Sequence, residues 1–332
     1  MLRTNMRKIG FLFLFILFIS VNVRAGGFKK YAGEFLNLGA GSRLTGMAGA
    51  GVAMINDASA SYWNPAGLAD ARGLQIQFTH SKQFISSIQH DYLAISHPLK
   101  NNSTLGLSLY YFTVNGIKDS RQAYNEADDK VDYSKIKTFN TGDYVLFLSY
   151  GHKSTDDLQY GVNAKMIYRD FSLASAMGLG FDLGLQYRWF DQLRLGLMLK
   201  DVTTTMIAWS TGEKEFIPPS LRFGLSYLWN FSALNLSIQP AADFQVLFEG
   251  RKYASQLHLG AMSLDSFWGV EVNYKNVLTL RSGMDDLQRF NTGIGVSIPK
   301  VTFDYSFTAY QSELGNIHRI TVRLFLDPLF KE

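Results

Sequence analysis

The sequence predicts an all-β fold, a transmembrane antiparallel β-barrel of about fourteen strands. Apolar residues alternate with glycine, polar and charged residues, as in 179–189, where every odd position is apolar. A period of two places the two classes on opposite faces of a strand. The pattern recurs many times in segments of ~9–11 residues, and many segments end in aromatic side chains, which is typical of outer-membrane barrels.

The first 25 residues predict an export signal. Arg3, Arg7 and Lys8 precede the apolar stretch 11–19, and residues 23–25 have the small-residue pattern of a cleavage site. The apolar stretch is too short to span a bilayer, which needs roughly 20 residues. We therefore expect a mature protein that starts near Gly26 and resides in the outer membrane of a Gram-negative bacterium.

Composition restricts the function classes. The 32 basic residues include four in the leader, which leaves 28 in the mature chain against 28 acidic residues. This neutral balance gives no reason to expect nucleic-acid binding. The chain has no cysteine, so disulfides and acyl attachment are excluded. After the leader no apolar run reaches the roughly 18 residues that a membrane-spanning helix needs. A closed β-barrel, surrounded by outer-membrane lipid, is the remaining structure that can span a membrane.

Residues 26–72 differ from the rest of the chain and predict a plug, or hatch, inside the barrel. Gly and Ala dominate 39–51, and small side chains allow tight folding in a confined space. Asn64-Pro65 then fixes a turn. The alternative is an N-terminal tail in the periplasm. We expect residues 73–332 to form the barrel.

The number of strands follows from the residue alternation and from the even strand number of bacterial barrels. Bacterial single-chain barrels have even strand numbers, with both termini and the short turns in the periplasm. We therefore interpret 255–274 as one kinked strand rather than two, which places segments 115–141 and 204–218 outside the cell. The predicted strands are 73–80, 88–98, 104–114, 142–152, 158–170, 177–190, 192–203, 219–230, 233–247, 255–274, 276–284, 289–298, 300–310 and 317–327.

Charged residues fall on the predicted inner face of these strands. A charge that faces the middle of the bilayer costs about 2–4 kcal/mol, so these side chains require a wet lumen or mutual pairing. Two interpretations stay open: a structural network that locks the plug to the wall, or a lumen that binds an acidic or carboxylate-bearing partner. The predicted lumen charge network is Asp182, Arg188, Arg194, Arg222, Glu271, Arg281, Asp304 and Arg323, with Arg319 and Lys200 also facing inward.

Catalytic and cofactor motifs are not found. Gly41 and Gly46 have the spacing of a phosphate loop, but Met47 stands where the lysine belongs. The six histidines lack a metal-ligand spacing, and no cysteine completes a zinc set. His90 and Asp91 are adjacent strand residues on opposite faces, so they cannot form a dyad. We predict no enzyme activity, no cofactor and no metal.

The mature chain resembles the PorV/PorQ family of outer-membrane proteins along essentially its whole length. The motif lies in 43–50, 57–60 and 63–68, and the closing hairpin at 303–307 and 314–322 agrees with it. The element at 64–68 alone is shared with the wider FadL group of fatty-acid transporters. The chain departs from the pattern at Asn56, where a second acid is common. The residues that carry the hatch motif are Arg43, Gly46, Met47, Gly49, Asp57, Trp63, Asn64, Pro65 and Gly67.

The resemblance implies a FadL-like barrel that works in type IX secretion. Such proteins bind the C-terminal signal domain of secreted cargo and pass it to the cell-surface machinery, so cargo proteins and secretion components are the expected partners. The alternative is a FadL-like transporter of small hydrophobic molecules. Import would need an apolar lumen, whereas the inward positions here are largely small, polar or charged. We therefore favour the secretion component.

Overall fold

The computed structural model describes residues 33–83, 87–125, 129–251, 255–310 and 315–326. Fourteen antiparallel strands form a closed barrel, because each pairs with its neighbours along the chain and the last pairs with the first. The predicted fold class is confirmed. The barrel strands are β1 (Leu74–Gln83), β2 (Ile88–Pro98), β3 (Ser103–Asp119), β4 (Lys137–Lys153), β5 (Leu158–Asp170), β6 (Ser175–Arg188), β7 (Leu193–Lys200), β8 (Ser220–Tyr227), β9 (Leu236–Leu247), β10 (Met262–Tyr274), β11 (Leu278–Met284), β12 (Phe290–Ile298), β13 (Val301–Thr308) and β14 (Ile317–Leu326).

The two ends of the barrel differ in the length of their connections. One end, the turn end, carries short connections such as 99–102, 154–157 and 299–300. The other, the loop end, carries the long connections 120–136, 201–219 and 248–261. Among the described residues no helix is both long and apolar enough to cross a membrane.

Several predicted boundaries change at the loop end. The prediction of one kinked strand over 255–274 is wrong, because Leu257–Leu259 folds back on β10 through a tight turn. Gly260 in that turn has a φ of +63°, a conformation that glycine adopts readily. The strand count remains fourteen because Leu257–Leu259 pairs with β10 alone. Segment 204–218, predicted as a loop, contains the paired strands Thr205–Trp209 and Lys214–Ile217. The other short strands are Tyr124–Asn125, Lys130–Val131 and Trp229–Phe231.

The outer face is apolar. Side chains that the period of two assigns to this face are exposed, such as Phe303 at 51% and Ile320 at 58%. Tyr111, Tyr144 and Tyr168 form a row across β3, β4 and β5, with ring centroids 4.7 and 6.1 Å apart. Aromatic rows at strand ends are typical of the membrane interface.

Residues 33–72, here called the inner segment, pack against the inner face of the wall. They form the 3₁₀ helices Glu34–Asn37 and Pro65–Asp70 and the single-turn helices α1 (Ser42–Thr45) and α2 (Ala60–Trp63). Nearly every residue from 39 to 68 is buried. The predicted leader 1–25 lies outside the described residues, and the division of the chain at 26 and 73 stays a prediction.

Glycines in the wall allow the inner segment to approach closely. A Cβ added at Gly161 would lie 2.3 Å from the carbonyl carbon of Pro65, and one at Gly196 would lie 2.5 Å from the carbonyl oxygen of Val52. A Cβ at Gly269 would lie 2.6 Å from the carbonyl oxygen of Met47. These contacts are with backbone, which cannot rotate away. The wall and the inner segment therefore fit only because these positions lack side chains.

We expect Gly161→Ala to lower the free energy of unfolding by about 1–3 kcal/mol, the usual cost of overpacking. The new methyl group must displace the backbone at Pro65. Val162→Ala on the outward face of the same strand is the matched control and should change stability much less. Urea titration in lipid vesicles, followed by tryptophan fluorescence, measures both. Equal effects of the two substitutions would contradict the close fit.

Candidate functional site

The candidate site is the contact between the inner segment and the wall. Its centre is a closed ring of six alternating charges, three basic and three acidic. Four members come from barrel strands and two from the inner segment. The ring members are Arg43, Glu271, Arg281, Asp304, Arg323 and Asp57.

Four strands supply the wall side of the ring. Glu271 on β10 accepts from Arg281 on β11 at 2.7 Å, and these residues are directly paired in the ladder. Asp304 on β13 accepts from Arg281 at 2.6 Å and from Arg323 on β14 at 3.1 Å. All four side chains point inward, as the alternation predicts.

Two residues of the inner segment close the ring. Asp57 accepts from Arg323 at 3.0 Å and from Arg43 at 3.2 Å. Arg43 also donates to Glu271 at 3.0 Å, and to the amide oxygen of Asn56 at 2.7 Å. Asn56, where the family pattern often has a second acid, thus serves as a neutral acceptor for the same arginine.

Charge balance makes this arrangement stable in a buried setting. The ring side chains are at most 14% exposed, and their charges sum to zero. A complete buried pair contributes little net stability because desolvation offsets the attraction, whereas removal of one partner costs about 3–5 kcal/mol. The ring therefore specifies where the inner segment sits relative to β10, β11, β13 and β14.

Pairing changes the pKa of both inner-segment members. Burial alone would raise the pKa of Asp57, but Arg323, Arg43 and hydrogen bonds from Ser59 outweigh it and lower the pKa to about 2. Burial alone would lower the pKa of Arg43, but Glu271 and Asp57 raise it above its usual value. Both side chains are therefore charged at neutral pH.

A second charged contact lies on β8 and β9. Asp243 accepts from Arg222 at 3.0 Å and from the backbone N–H groups of Gly51 and Val52 at 2.9 and 3.0 Å. Arg222 donates to the carbonyl of Gly49 at 2.7 Å. This pair is buried and fixes residues 49–52 against the wall.

Asn64 makes a third contact through hydrogen bonds alone. Its side-chain oxygen caps the helix Pro65–Asp70 by accepting from the N–H of Ala66. Its amide nitrogen donates to the carbonyls of Val52, Leu185 and Leu197 at 2.8, 3.2 and 3.4 Å. One side chain thus joins two parts of the inner segment to β6 and β7.

The remaining motif residues shape the inner segment itself. Trp63 donates to the carbonyl of Ala40 at 2.7 Å. Gly49 has a φ of +82°, and a Cβ there would lie 3.3 Å from the Trp63 ring. A Cβ on Gly67 would lie 2.2 Å from the carbonyl oxygen of Ile55, and one on Gly46 would lie 3.1 Å from Gly293 on β12. A larger residue at Gly67 would displace the backbone, one at Gly46 would require its neighbours to shift, and one at Gly49 would also strain the backbone.

The predicted lumen network is not one network. Four of its members join the ring, whereas Arg222 pairs with Asp243. Asp182 accepts from Lys165 at 2.8 Å, and Lys165 also contacts Asp201 at 2.8 Å. The other two lie at the turn end, where Arg194 is 3.4 Å from Asp70 and Arg188 is 3.4 Å from Asp157.

Sequence reasoning missed Asp243, Lys165, Asp201 and Asp70 as partners. Lys165 and Asp243 each stand between apolar residues in a predicted strand, and this is the signal that marks an inward charge. Asp201 directly follows β7 and Asp70 is the last residue of the helix Pro65–Asp70, positions where an acid is usually solvated. Their partners become visible only when the strand register is known.

A cavity of about 60 Å³ lies between the inner segment and the wall near β7. Its lining includes Leu36, Tyr62, Phe147, Lys200 and Asp201. The Lys200 ammonium nitrogen lies 4.8 Å from the centroid of the Tyr62 ring. β7 ends at this point, and after residues 201–204 the chain resumes pairing with β6 at Thr205–Trp209.

The histidines do not form a catalytic arrangement with the acids of the lumen. His90 faces inward and is fully buried, whereas Asp91 faces outward, as predicted. Asp91 instead accepts from His80, its neighbour on β1, at 2.6 Å on the outer face. Within the described ranges no cluster of three or more His, Asp or Glu residues could hold a metal ion.

Comparison with known proteins identifies the family. Residues 57–324 match the family described as type IX secretion system membrane protein PorP/SprF. The chain belongs to this family. The match supports a type IX secretion protein in the outer membrane, while the predicted PorV/PorQ affiliation is not confirmed by it. Among curated proteins none matches the sequence significantly.

Solved structures share the fold of this PorP/SprF family member. The toluene transporter TodX of P. putida is 14% identical, with a TM-score of 0.60 over 87% of this chain and 99% of TodX. The toluene transporter TbuX of Ralstonia pickettii is 15% identical, with a TM-score of 0.56 over 86% of this chain and 97% of TbuX. A FadL homologue of Pseudomonas aeruginosa is 12% identical, with a TM-score of 0.52 over 86% of this chain and 98% of the homologue. The chain therefore has a FadL-like barrel.

We expect Asp57→Asn to remove a contribution to the free energy of unfolding that depends on pH. The folded pKa of Asp57, about 2, lies below the unfolded value of about 3.9. The stabilisation, about 2–3 kcal/mol, is therefore complete above pH 4 and is lost as the pH falls from about 4 to about 2. Unfolding free energies of both proteins at pH 7 and pH 2.5 test this. The difference between the two proteins should shrink at pH 2.5, and a constant difference would contradict the assignment.

Proposed function

We propose that this protein is a non-enzymatic type IX secretion component that binds the C-terminal signal domain of secreted cargo at the loop end. The observation that carries the proposal is the locked lumen, in which the inner segment meets the wall through the charge ring, the Arg222–Asp243 pair and Asn64. A lumen filled in this way leaves the loop end as the surface available to a protein. Membership of a type IX secretion family supports the same conclusion.

The loop end offers a suitable binding surface. Segment 120–136 carries the short hairpin Tyr124–Asn125 and Lys130–Val131, followed by a 3₁₀ turn. Tyr133 is 79% exposed, Tyr124 53% and Val131 46%. Exposed tyrosine side chains are common anchors in protein interfaces. We propose that this loop faces the exterior and contacts cargo, which the protein then passes to the surface machinery as PorV/PorQ proteins do.

In this proposal the chain has the three parts that the sequence predicts. Residues 1–25 are the removed leader, residues 26–72 the hatch, and residues 73–332 the barrel. The hatch motif and the lumen charges then have a structural role, because they hold the hatch in the barrel. The partners are cargo proteins, other secretion components and outer-membrane lipid.

A transporter of small hydrophobic molecules is the second candidate. The cavity beside the interruption in β7 favours it, since Leu36, Tyr62 and Phe147 give part of the lining an apolar surface. The toluene transporters TodX and TbuX have the same fold. However, the cavity is far below the ~300–1,000 Å³ usual for ligand pockets. Transport would require the inner segment to move.

We expect the purified protein in nanodiscs to bind the C-terminal signal domain of a type IX cargo protein from the same organism. The double substitution Val131→Ser and Tyr133→Ser should weaken binding about tenfold or more, because exposed anchors contribute about 1–2 kcal/mol each. Biolayer interferometry measures the affinity.

The matched control is Val277→Ser, which is exposed to a similar extent but lies at the turn end. It should leave the affinity unchanged. Titration with toluene tests the second candidate. Saturable toluene binding without any binding of the signal domain would reject the proposed function and favour transport.

A further inference from the structure

Arg319 on β14 is a buried guanidinium that lacks an acidic partner among the described residues. It is 3% exposed, and its Nη2 donates to the carbonyl of Leu38 at 2.7 Å. Arg281 and Arg323 on nearby strands each contact two carboxylates. A buried charge is costly unless a counter-charge meets it. A bound anion would stabilise a guanidinium in this setting.

Three further polar residues continue the row that Arg319 begins. Ser81 on β1 is directly opposite Arg319 on β14 and directly opposite His90 on β2. Side chains opposite each other on one face have Cβ atoms about 4.5–5.5 Å apart. Gln83 lies two residues beyond Ser81 on the same face, diagonal to His90. All four are at most 3% exposed.

Polar atoms of these four residues lack partners in the described parts of the chain. They are the Nε of Arg319, the Oγ of Ser81, both ring nitrogens of His90, and the oxygen and nitrogen of the Gln83 amide. Buried polar atoms are almost always hydrogen-bonded, so six such atoms in one small region are unusual. These atoms are available to a bound species.

The chemistry of these groups selects the species. A guanidinium, a hydroxyl, an imidazole and an amide can each donate a hydrogen bond to an anion. The positive charge of Arg319 excludes a metal cation. Asp57 and Asp304 of the neighbouring charge ring are already paired with Arg323. A small monovalent anion fits the charge and the donors.

The surrounding residues close this site. The Tyr110 ring packs against the His90 ring at a centroid distance of 4.2 Å, and its hydroxyl donates to the carbonyl of Phe35 at 2.6 Å. Residues 35–38 of the inner segment therefore lie beside the row. An anion bound here would neutralise Arg319 and stabilise the contact between Arg319 and Leu38.

We propose that Arg319, Ser81, His90 and Gln83 form a binding site for a small monovalent anion, a halide or a carboxylate. The site is separate from the charge ring and does not depend on which partner binds at the loop end. Because an anion that binds the folded protein stabilises it, the melting temperature rises with anion concentration and then saturates.

Bromide and formate are the two probes, because they distinguish a halide from a carboxylate. Melting temperatures of the full mature protein in detergent are measured over a concentration series of each sodium salt, for the wild type and for Arg319→Gln. We expect the wild type to show a saturable rise that exceeds that of the variant by about 3 °C. Bromide anomalous scattering from crystals then shows a peak beside Arg319 in the wild type.

Controls separate this site from general salt effects. Arg194→Gln removes a cation at the turn end and should keep the wild-type response to both salts. Ser81→Ala should weaken the response and serves in place of Arg319→Gln if that variant does not fold. A response to formate alone identifies a carboxylate site, and a response to bromide identifies a halide site. Identical salt responses in wild type and variants, or an ordered water only beside Arg319, would overturn the proposal.

Discussion

Charge pairing in a closed interior is the constraint on which the rest of the structure depends. The wall presents arginine, lysine, aspartate and glutamate to a lumen that the inner segment largely fills, so each charge must find a partner there. The six-membered ring meets this requirement with residues from both layers. Because Arg43 and Asp57 are two of the six, the alternation of charges around the ring closes only when the wall and the inner segment are together.

Backbone contact adds a second, steric constraint. Glycines of the wall, such as Gly161 and Gly196, meet the main chain of the inner segment at distances that exclude a Cβ. The Gly/Ala-rich composition of residues 39–51 is the counterpart of this fit, because small side chains let a chain with little regular structure follow a curved wall. Charge pairs orient the inner segment, and glycine contacts determine how close it lies.

The alternation of residues was enough to predict the fold class and the faces of residues such as Arg281 and Phe303, and together with parity it predicted the number of strands. It was not enough for partners, because a ring such as that of Glu271, Arg281 and Asp304 depends on the register between strands. The prediction of one strand over 255–274 was wrong because the alternation also does not show local chain reversals. Parity correctly required one barrel strand there, but the reversal at Gly260 is a local backbone event that periodicity does not report. Asp70 lay outside the predicted strands. Asp201 directly follows the inward Lys200 in the predicted strand 192–203, so the period of two assigned it to the other face.

Hydrogen exchange of the inner segment, measured by mass spectrometry in lipid nanodiscs, tests most directly whether the two layers act as one unit. Amides are protected when their hydrogen bonds open only through large, costly unfolding events. If the charge ring and the backbone contacts hold the layers together, peptides from residues 42–68 exchange as slowly as peptides from the barrel strands β10 to β14. Rapid exchange of residues 42–68 beside a fully protected barrel would contradict the account.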